Sequence, residues 1–469
     1  MKNKDYLSIF FLTWIIFSCT NPENFDQGQS IKPYPENNRY WQYKNKPVLL
    51  LGGTKDDNLF QIPKLKEHLD SLKQIGGNYI RNVMSSREDK GFEVQPFKKL
   101  ANGKYDLNQW NDEYWGRFQE MLQLTAERDI IVQIEIWAFH DYNTTAYPNS
   151  PWKPANNINY DTLNTTLPDQ IVNIGNHKHE FFFTAPKLNN DTLALKYQNL
   201  FIDKILSYTL KYDHILYCIT NEIHPQYSHE WGWYWANYIR EISNKKGKTV
   251  NITEMFWETD LTADQHKASF DYPEIYNYFE ISQNSANSGE KNWAYTQYIR
   301  QYLAQNPRPM NSVKIYGHDT GPVWVGKSKE GIEKFWRNII GGCAGSRFHR
   351  PNGGIGFSEL AQNSIKAVRE LETVIKLWEV SPGNELLTDR DENEAYLTAK
   401  PGEKYIIYFT EGGMVGLDLS DYQEKFCLRW IDINTGDWLK DQTYFEGGEI
   451  VNISTPFQNP SIAVILKVH

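Results

Sequence analysis

Cysteine is scarce in this sequence. The 469 residues contain 4, and Cys218, Cys343 and Cys427 are far apart and set in apolar stretches. An odd, scattered set of that kind reads as buried free thiols rather than a disulfide framework. No Cys/His spacing resembles a metal site, the local pair His177 and His179 reads as a loop, and no metal or other cofactor is expected. A basic surplus is also missing. The 49 Lys and Arg against 58 Asp and Glu give a net charge of -9, which speaks against a nucleic-acid partner. There is no internal repeat, no low-complexity tract and no Gly-x-Ser-x-Gly turn, the last of which argues against the common esterase design. Gly52-Gly53-Thr54-Lys55 does not fit the glycine-rich phosphate turn of a dinucleotide-binding sheet.

What the sequence does have begins with a targeting segment. Met1-Lys2-Asn3-Lys4 is basic, and Leu7 to Phe17 is apolar but too short to span a bilayer comfortably. The run ends in Ile16-Phe17-Ser18-Cys19, which resembles the lipobox of bacterial lipoproteins. That resemblance implies a signal peptide over residues 1–18, lipidation of Cys19, a membrane partner and a place at the outer membrane or cell surface. Residues 19–38 read as a polar tether. Aromatic residues are abundant, with 16 Trp and 29 Tyr. They serve either core packing or stacking against the C–H faces of sugar rings.

Beyond the tether, short apolar runs alternate with helical stripes. Strands are expected at Lys46–Gly53, Asn78–Val83, Asp129–Trp137, His214–Glu222, Thr249–Met255, Tyr278–Asn284, Val313–Asp319 and Ala344–Arg350. Helices are expected at 62–75, 109–128, 191–212, 229–246, 290–305, 329–340 and 357–379, and a long loop over about 143–190. Eight such units match a (β/α)₈ TIM barrel over residues 39–382. The grammar then changes to alternating runs separated by glycine pairs, which reads as a small antiparallel β-sandwich over 383–469. The sandwich either binds glycan or packs against the barrel, and structural packing is the expectation. The fold class is therefore α/β, a barrel followed by a sandwich, in a monomer.

Barrel strands deliver their C-terminal residues to one mouth. Asp56, Asp57, Arg81, Glu135, Trp137, His140, Asn221, Glu222, Glu254, Trp257, Gln283, Asn284, His318, Asp319, Arg347, His349 and Arg350 all fall at or just past such ends. Two carboxylates across a cleft are what glycosidic hydrolysis requires, one to protonate the leaving oxygen and one to attack or to activate water.

Thr220-Asn221-Glu222, at the end of the fourth strand, resembles the motif of the retaining (β/α)₈ glycoside hydrolases, the cellulase-like superfamily. More narrowly, Lys46–Gly53, Gly76–Asn82 and Arg347–Pro351 resemble a group of bacterial lipoproteins and secreted proteins that pair such a barrel with a terminal sandwich. The resemblance implies that Glu222 is the general acid/base, that Asn221 holds a sugar 2-hydroxyl, and that a nucleophile ends the seventh strand. No Glu stands there. His318-Asp319 occupies the place, so Asp319 is the first candidate and Glu254 the competing one. Arg81 is either the partner of the nucleophile or a buried structural ion pair. Trp137 and Trp257 are candidate stacking platforms, with His140 and His318 beside them. Arg347, His349 and Arg350 either meet carboxylate or sulfate groups of an acidic glycan or close the barrel through internal pairs. The expected function is a surface-anchored glycoside hydrolase acting on a plant or algal polysaccharide or its oligosaccharides. A non-catalytic glycan-binding lipoprotein and a polysaccharide lyase using Tyr316, His318 and Arg347 are the alternatives.

Overall fold

The structure is a computed structural model that describes residues 29–86, 90–143, 146–170, 179–320 and 323–468. The signal peptide, Cys19 and His177 lie outside the described residues. The expected tether runs to residue 38, but part of it is built into a sheet. The antiparallel strands β1 (Lys32–Tyr34), β2 (Asn37–Tyr43) and β3 (Lys46–Val48) form a three-stranded unit. Trp41 in β2 is fully buried, which explains why this stretch is held down.

The α/β part follows. Its elements are β4 (Leu50–Gly53), α1 (Leu65–Gln74), β5 (Tyr79–Val83), the hairpin β6 (Phe97–Lys99) and β7 (Tyr105–Trp110), α2 (Asp112–Glu127), β8 (Ile131–Ala138), α3 (Phe139–Asn143), α4 (Thr192–Thr209), β9 (Ile215–Asn221), α5 (His229–Lys245), β10 (Asn251–Thr253), α6 (Asp264–Phe270), β11 (Phe279–Glu280), α7 (Gly289–Tyr302), β12 (Met310–Ile315), α8 (Ser328–Ile340), β13 (Gly345–Phe348) and α9 (Glu359–Glu372). Three of the longer helices start where a side chain satisfies a free N–H. Asn111 accepts from Glu113, Asp191 from Ala194 and Ser358 from Ala361. In α1 the stripe Leu65, Leu69 and Leu72 is buried, as its spacing requires.

Two parallel four-stranded sheets result, ordered β10-β9-β8-β5 and β11-β12-β13-β4. They touch at both outer edges, each time through an asparagine. Asn78 donates its N–H to Leu51 O and accepts from Leu51 N–H at its side chain, both at 2.9 Å. Asn277 does the same for Ile252, at 3.1 and 2.8 Å. A polar network crosses the space between the sheets. Trp41 Nε1 donates to Asn311, Asn311 to Tyr79, and Tyr79 and Tyr278 to Gln133, which donates to Glu280. Burial pushes the Glu280 carboxyl up to about 7, with Ser282 and Gln133 opposing.

The expected long loop packs down on aromatic residues. Phe181 is fully buried, with its ring stacked 3.8 Å from Tyr142 and edge-on to Trp137 and Trp152. The last helix of this part is shorter than expected and ends at Glu372, while Ile375 and Leu377 remain in the core.

The C-terminal part comprises β14 (Ser381–Pro382), β15 (Leu387–Thr388), β16 (Ala395–Lys400), β17 (Lys404–Phe409), β18 (Met414–Asp418), β19 (Lys425–Asp432), β20 (Asp437–Glu446), β21 (Ile450–Ser454) and β22 (Ser461–Lys467). They form a six-stranded antiparallel sheet, β14-β16-β17-β22-β19-β20, and a three-stranded one, β15-β18-β21. The outer face of the larger sheet packs on α7 and α8. Trp336 stacks on Tyr408, Trp293 lies 4.9 Å from Tyr396, and Arg337 donates to Asn393 at 2.8 Å. Tyr396, Ile406, Tyr408, Ile462 and Val464 thus share a core with the parallel sheets. Cys218 and Cys343 are buried free thiols, and Cys427 is a half-buried one. Among the described residues no helix is long and apolar enough to cross a membrane.

Candidate active site

The strand β9 is buried along its whole length and ends at Asn221. Glu222 then adopts the left-handed conformation, with φ of 65°. For a residue with a Cβ this costs on the order of 1–2 kcal/mol, so the surroundings must hold it. They do so through Ile223, which donates to Met255 O and accepts from Trp257 N–H, both at 2.9 Å. The turn swings the Glu222 side chain into the space above the strand ends.

Four groups meet that carboxylate. His140 Nε2 lies 2.7 Å from Oε2. On Oε1, Lys314 Nζ lies at 2.5 Å, Gln283 Nε2 donates at 3.0 Å, and Tyr316 Oη donates at 3.3 Å. Burial alone would raise the pKa of Glu222. Lys314 and His140 overcome it and hold the carboxyl well below the ordinary range, so Glu222 is an anion at neutral pH. Asn221 Oδ1 accepts from the same Lys314 ammonium at 2.5 Å. Burial lowers the Lys314 ammonium, with Glu222 opposing.

A second cluster forms beside the first. Asp57, just past β4, pairs through Oδ1 with Arg81 Nη1 at 2.5 Å and through Oδ2 with Arg350 Nε at 2.7 Å. His349 Nδ1 stands 3.8 Å from it. Arg81 also meets Glu135 at 2.7 Å. Burial opposes the Arg81 charge, but Asp57 and Glu135 raise it above the usual arginine range. Burial keeps His349 neutral by pulling it well below its ordinary value. The charge of Glu222 reaches Arg81, and that of Asp57 reaches Lys314 and Tyr316, so the clusters form one electrostatic neighbourhood.

Several expected residues lie elsewhere. The seventh strand ends at Ile315 rather than at Asp319. Gly317 breaks it, since a Cβ there would sit 2.6 Å from Gly331 N and Lys327 O. His318 and Asp319 therefore fall on the outgoing loop. Asp319 is exposed and accepts from the Ser328 hydroxyl at 2.8 Å and its N–H at 3.1 Å, capping α8. Those bonds lower its carboxyl. His318 Nδ1 bonds Thr320. Neither joins Glu222.

Glu254 is buried and faces α5. Its Oε1 accepts from Thr220 N–H at 2.7 Å and its Oε2 from Tyr276 Oη at 3.4 Å. Gly232 permits this, because a Cβ on it would lie 2.4 Å from Glu254 Oε2. Burial pushes Glu254 up to about 8.

Trp137 is not a platform. It is 2 % exposed and packed among Trp152, Phe181, Phe201, Trp231 and Trp235. Trp257 is half-buried, with its ring 5.5 Å from His140 and 5.2 Å from His224, at the edge of the Glu222 cluster. Arg347 is fully buried and donates to Val313 O at 2.6 Å, and burial and Arg81 bring it down to about 9. It supports the interior rather than the mouth.

The residue that sequence reasoning missed is Lys314. A lysine inside the apolar run Val313-Lys314-Ile315 was the available signal. Strand alternation puts Lys314 and Tyr316 on one face, and both reach Glu222. Among the described residues no group of three or more His, Cys, Asp or Glu is arranged to hold a metal.

No protein-family model matches the chain, and no curated protein does. Solved structures do resemble it. A glycoside hydrolase family 5 protein from Bacteroides vulgatus ATCC 8482 superposes with a TM-score of 0.62 at 13% identity, covering 94% of this chain and 93% of that one. A second structure, described as a glycoside hydrolase, gives 0.62 at 13% identity, covering 94% and 97%. At such identity the likeness is one of fold, and it extends over both the parallel sheets and the C-terminal antiparallel sheets.

Proposed function

We propose that the chain is a glycoside hydrolase whose parallel strands close into a (β/α)₈ barrel, with the Glu222 cluster as its active centre. The observation that carries this reading is the placement of Asn221-Glu222. A carboxylate at the end of a fully buried parallel strand is turned by a left-handed residue onto a lysine ammonium, an imidazole, an amide and a phenol. The fold shared with glycoside hydrolases supports it.

In this reading Glu222 handles the proton. His140 is 35 % exposed and touches Oε2, so it can pass a proton from solvent to the carboxylate. Protonated Glu222 gives that proton to the glycosidic oxygen as the C–O bond breaks and the second carboxylate bonds the anomeric carbon; a water then displaces that carboxylate, its oxygen bonding the anomeric carbon and its proton returning to Glu222. The second carboxylate is Asp57 rather than Asp319 or Glu254. Asp57 shares an electrostatic neighbourhood with Lys314 and Tyr316, whereas Asp319 is exposed at the start of α8 and Glu254 faces α5. Asn221 and Trp257 hold the sugar, the former by its amide and the latter by its ring.

A plant or algal polysaccharide, or its oligosaccharides, is the proposed substrate, reached from a lipid anchor at Cys19. Incorporation of labelled fatty acid, lost in Cys19→Ser, tests the anchor. Product analysis on a panel of polysaccharides tests the activity. Glu222→Gln and Asp57→Asn should each abolish the products of the wild type, and activity retained in Glu222→Gln would refute the assignment. One observation favours a second reading, a glycan-binding protein that cleaves nothing. The seventh strand presents a cation, Lys314, to Glu222 instead of a facing acid. Binding without products on the same panel would select that reading.

A further inference from the structure

We propose that Lys314 is the positioning residue of this site, fixing both the amide orientation of Asn221 and the charge of Glu222. The inference rests on the reading of the mouth as a glycosidase centre. Its geometric basis is one buried ammonium held 2.5 Å from Asn221 Oδ1 and 2.5 Å from Glu222 Oε1.

An ammonium only donates, so the atom of Asn221 facing it must be the carbonyl oxygen. The amide nitrogen is thereby turned away from Lys314, and Asn221 meets a ligand as a donor. An amide without this clamp would be free to flip, and a sugar hydroxyl would meet donor and acceptor in turn. Lys314 itself is fixed by its strand. β12 pairs with β13 and β11, and Val313 and Lys314 donate their N–H groups to Ser282 Oγ at 2.8 and 3.0 Å.

The charge of Glu222 depends on every group that faces it. His140 comes from α3, Lys314 and Tyr316 from the β12 end, and Gln283 from the segment after β11. Arg81 lies further off, with Asp57 and Glu135 neutralising it. Lys314 is the buried cation in direct contact, so its removal should be felt more than that of the half-exposed His140. The cost of this arrangement is that Glu222 starts as an anion. The proton it needs arrives only when His140 or an incoming ligand loosens the Lys314 contact, and that contact therefore sets the alkaline limb of the pH profile, where the proton donor is lost.

The test titrates Glu222 directly, in the full chain with ¹³C-labelled glutamate carboxyls. The Glu222 signal is identified by its loss in Glu222→Gln. In wild type it should remain ionised to low pH. In Lys314→Met the midpoint should rise by at least about one pH unit, a tenfold change in the proton equilibrium. Lys314→Arg should stay near wild type, and Lys314→Gln serves if the methionine variant does not fold. On a substrate that the wild type cleaves, the alkaline limb of kcat should move to higher pH by the same interval. Coincident Glu222 titrations in wild type and in both neutral variants would overturn the proposal. Absence of products on every glycan, with the titration still shifted, would refute the glycosidase reading and leave the role of Lys314 standing.

Discussion

Nε2 of His140 lies 2.7 Å from Oε2 of Glu222, on the side of the carboxylate opposite Lys314. Glu222 is thus gripped at one oxygen by a buried cation and at the other by a partly exposed imidazole. In the proposed mechanism the imidazole is the contact through which solvent protons reach the site. His140→Ala should lower kcat by about 10²-fold or more, with a smaller change in KM, because general acid–base assistance is lost while sugar contacts persist. Steady-state kinetics separate the two terms, and an unchanged kcat would remove His140 from the proton path.

Arg81 is fully buried between Asp57 and Glu135. Arg81→Met would leave two carboxylates without their shared cation. Breaking a buried pair from one side costs about 3–5 kcal/mol, so the urea midpoint should fall sharply. Glu135→Gln added to Arg81→Met should recover part of the loss, since neighbouring sites of this kind are not additive.

Trp257 and Trp137 should respond in opposite ways. Trp257→Ala should weaken glycan binding by up to about tenfold, as expected for a stacked ring worth about 0.5–1.5 kcal/mol, with little effect on thermal stability. Trp137→Ala should open a cavity among five aromatic rings and cost about 3–5 kcal/mol of stability. Binding isotherms and thermal melts on the two variants check both.

Glu254 gives a pH signature. Its folded value of about 8 lies above the unfolded value of about 4.3, so the native state prefers its protonated form. The stability contributed by that preference is complete below the unfolded value and is lost as pH rises through the folded one, at about 1.4 kcal/mol per pH unit. Glu254→Gln stays neutral throughout. Its unfolding midpoint should therefore gain on wild type between pH 5 and pH 8, and a gap independent of pH would contradict the buried, uncharged state.

Much of the scaffold is legible in the sequence because burial leaves a periodic trace. The run His214–Glu222 reads as a strand, observed as Ile215–Asn221, and the leucine stripe of α1 as a helix, from composition and spacing. The hairpin β6–β7 and the helix α6 leave no such trace, being short and rich in polar residues. The end of the seventh strand is displaced because Tyr316 continues the apolar run past Ile315, whereas the close approach of Gly317 to Gly331 breaks the strand. Trp137 lies two residues beyond Glu135, where strict alternation would turn it inward with that carboxylate. It packs against the α4 and α5 side chains instead. The ion pairs are the least legible feature. Lys314 meets Glu222 and Arg350 meets Asp57 across long stretches of chain, and although a lysine in an apolar run marks Lys314 as unusual, nothing local names the partner of either.

The most direct measurement is a comparison of reducing-end release by wild type, Glu222→Gln, Asp57→Asn and Asp319→Asn on one polysaccharide panel. Product release by the wild type and by Asp319→Asn, with none from Glu222→Gln or Asp57→Asn, is the expected result. Loss of products in Asp319→Asn together with their persistence in Asp57→Asn would contradict the assignment of the second carboxylate, and persistence in Glu222→Gln would contradict the active centre itself.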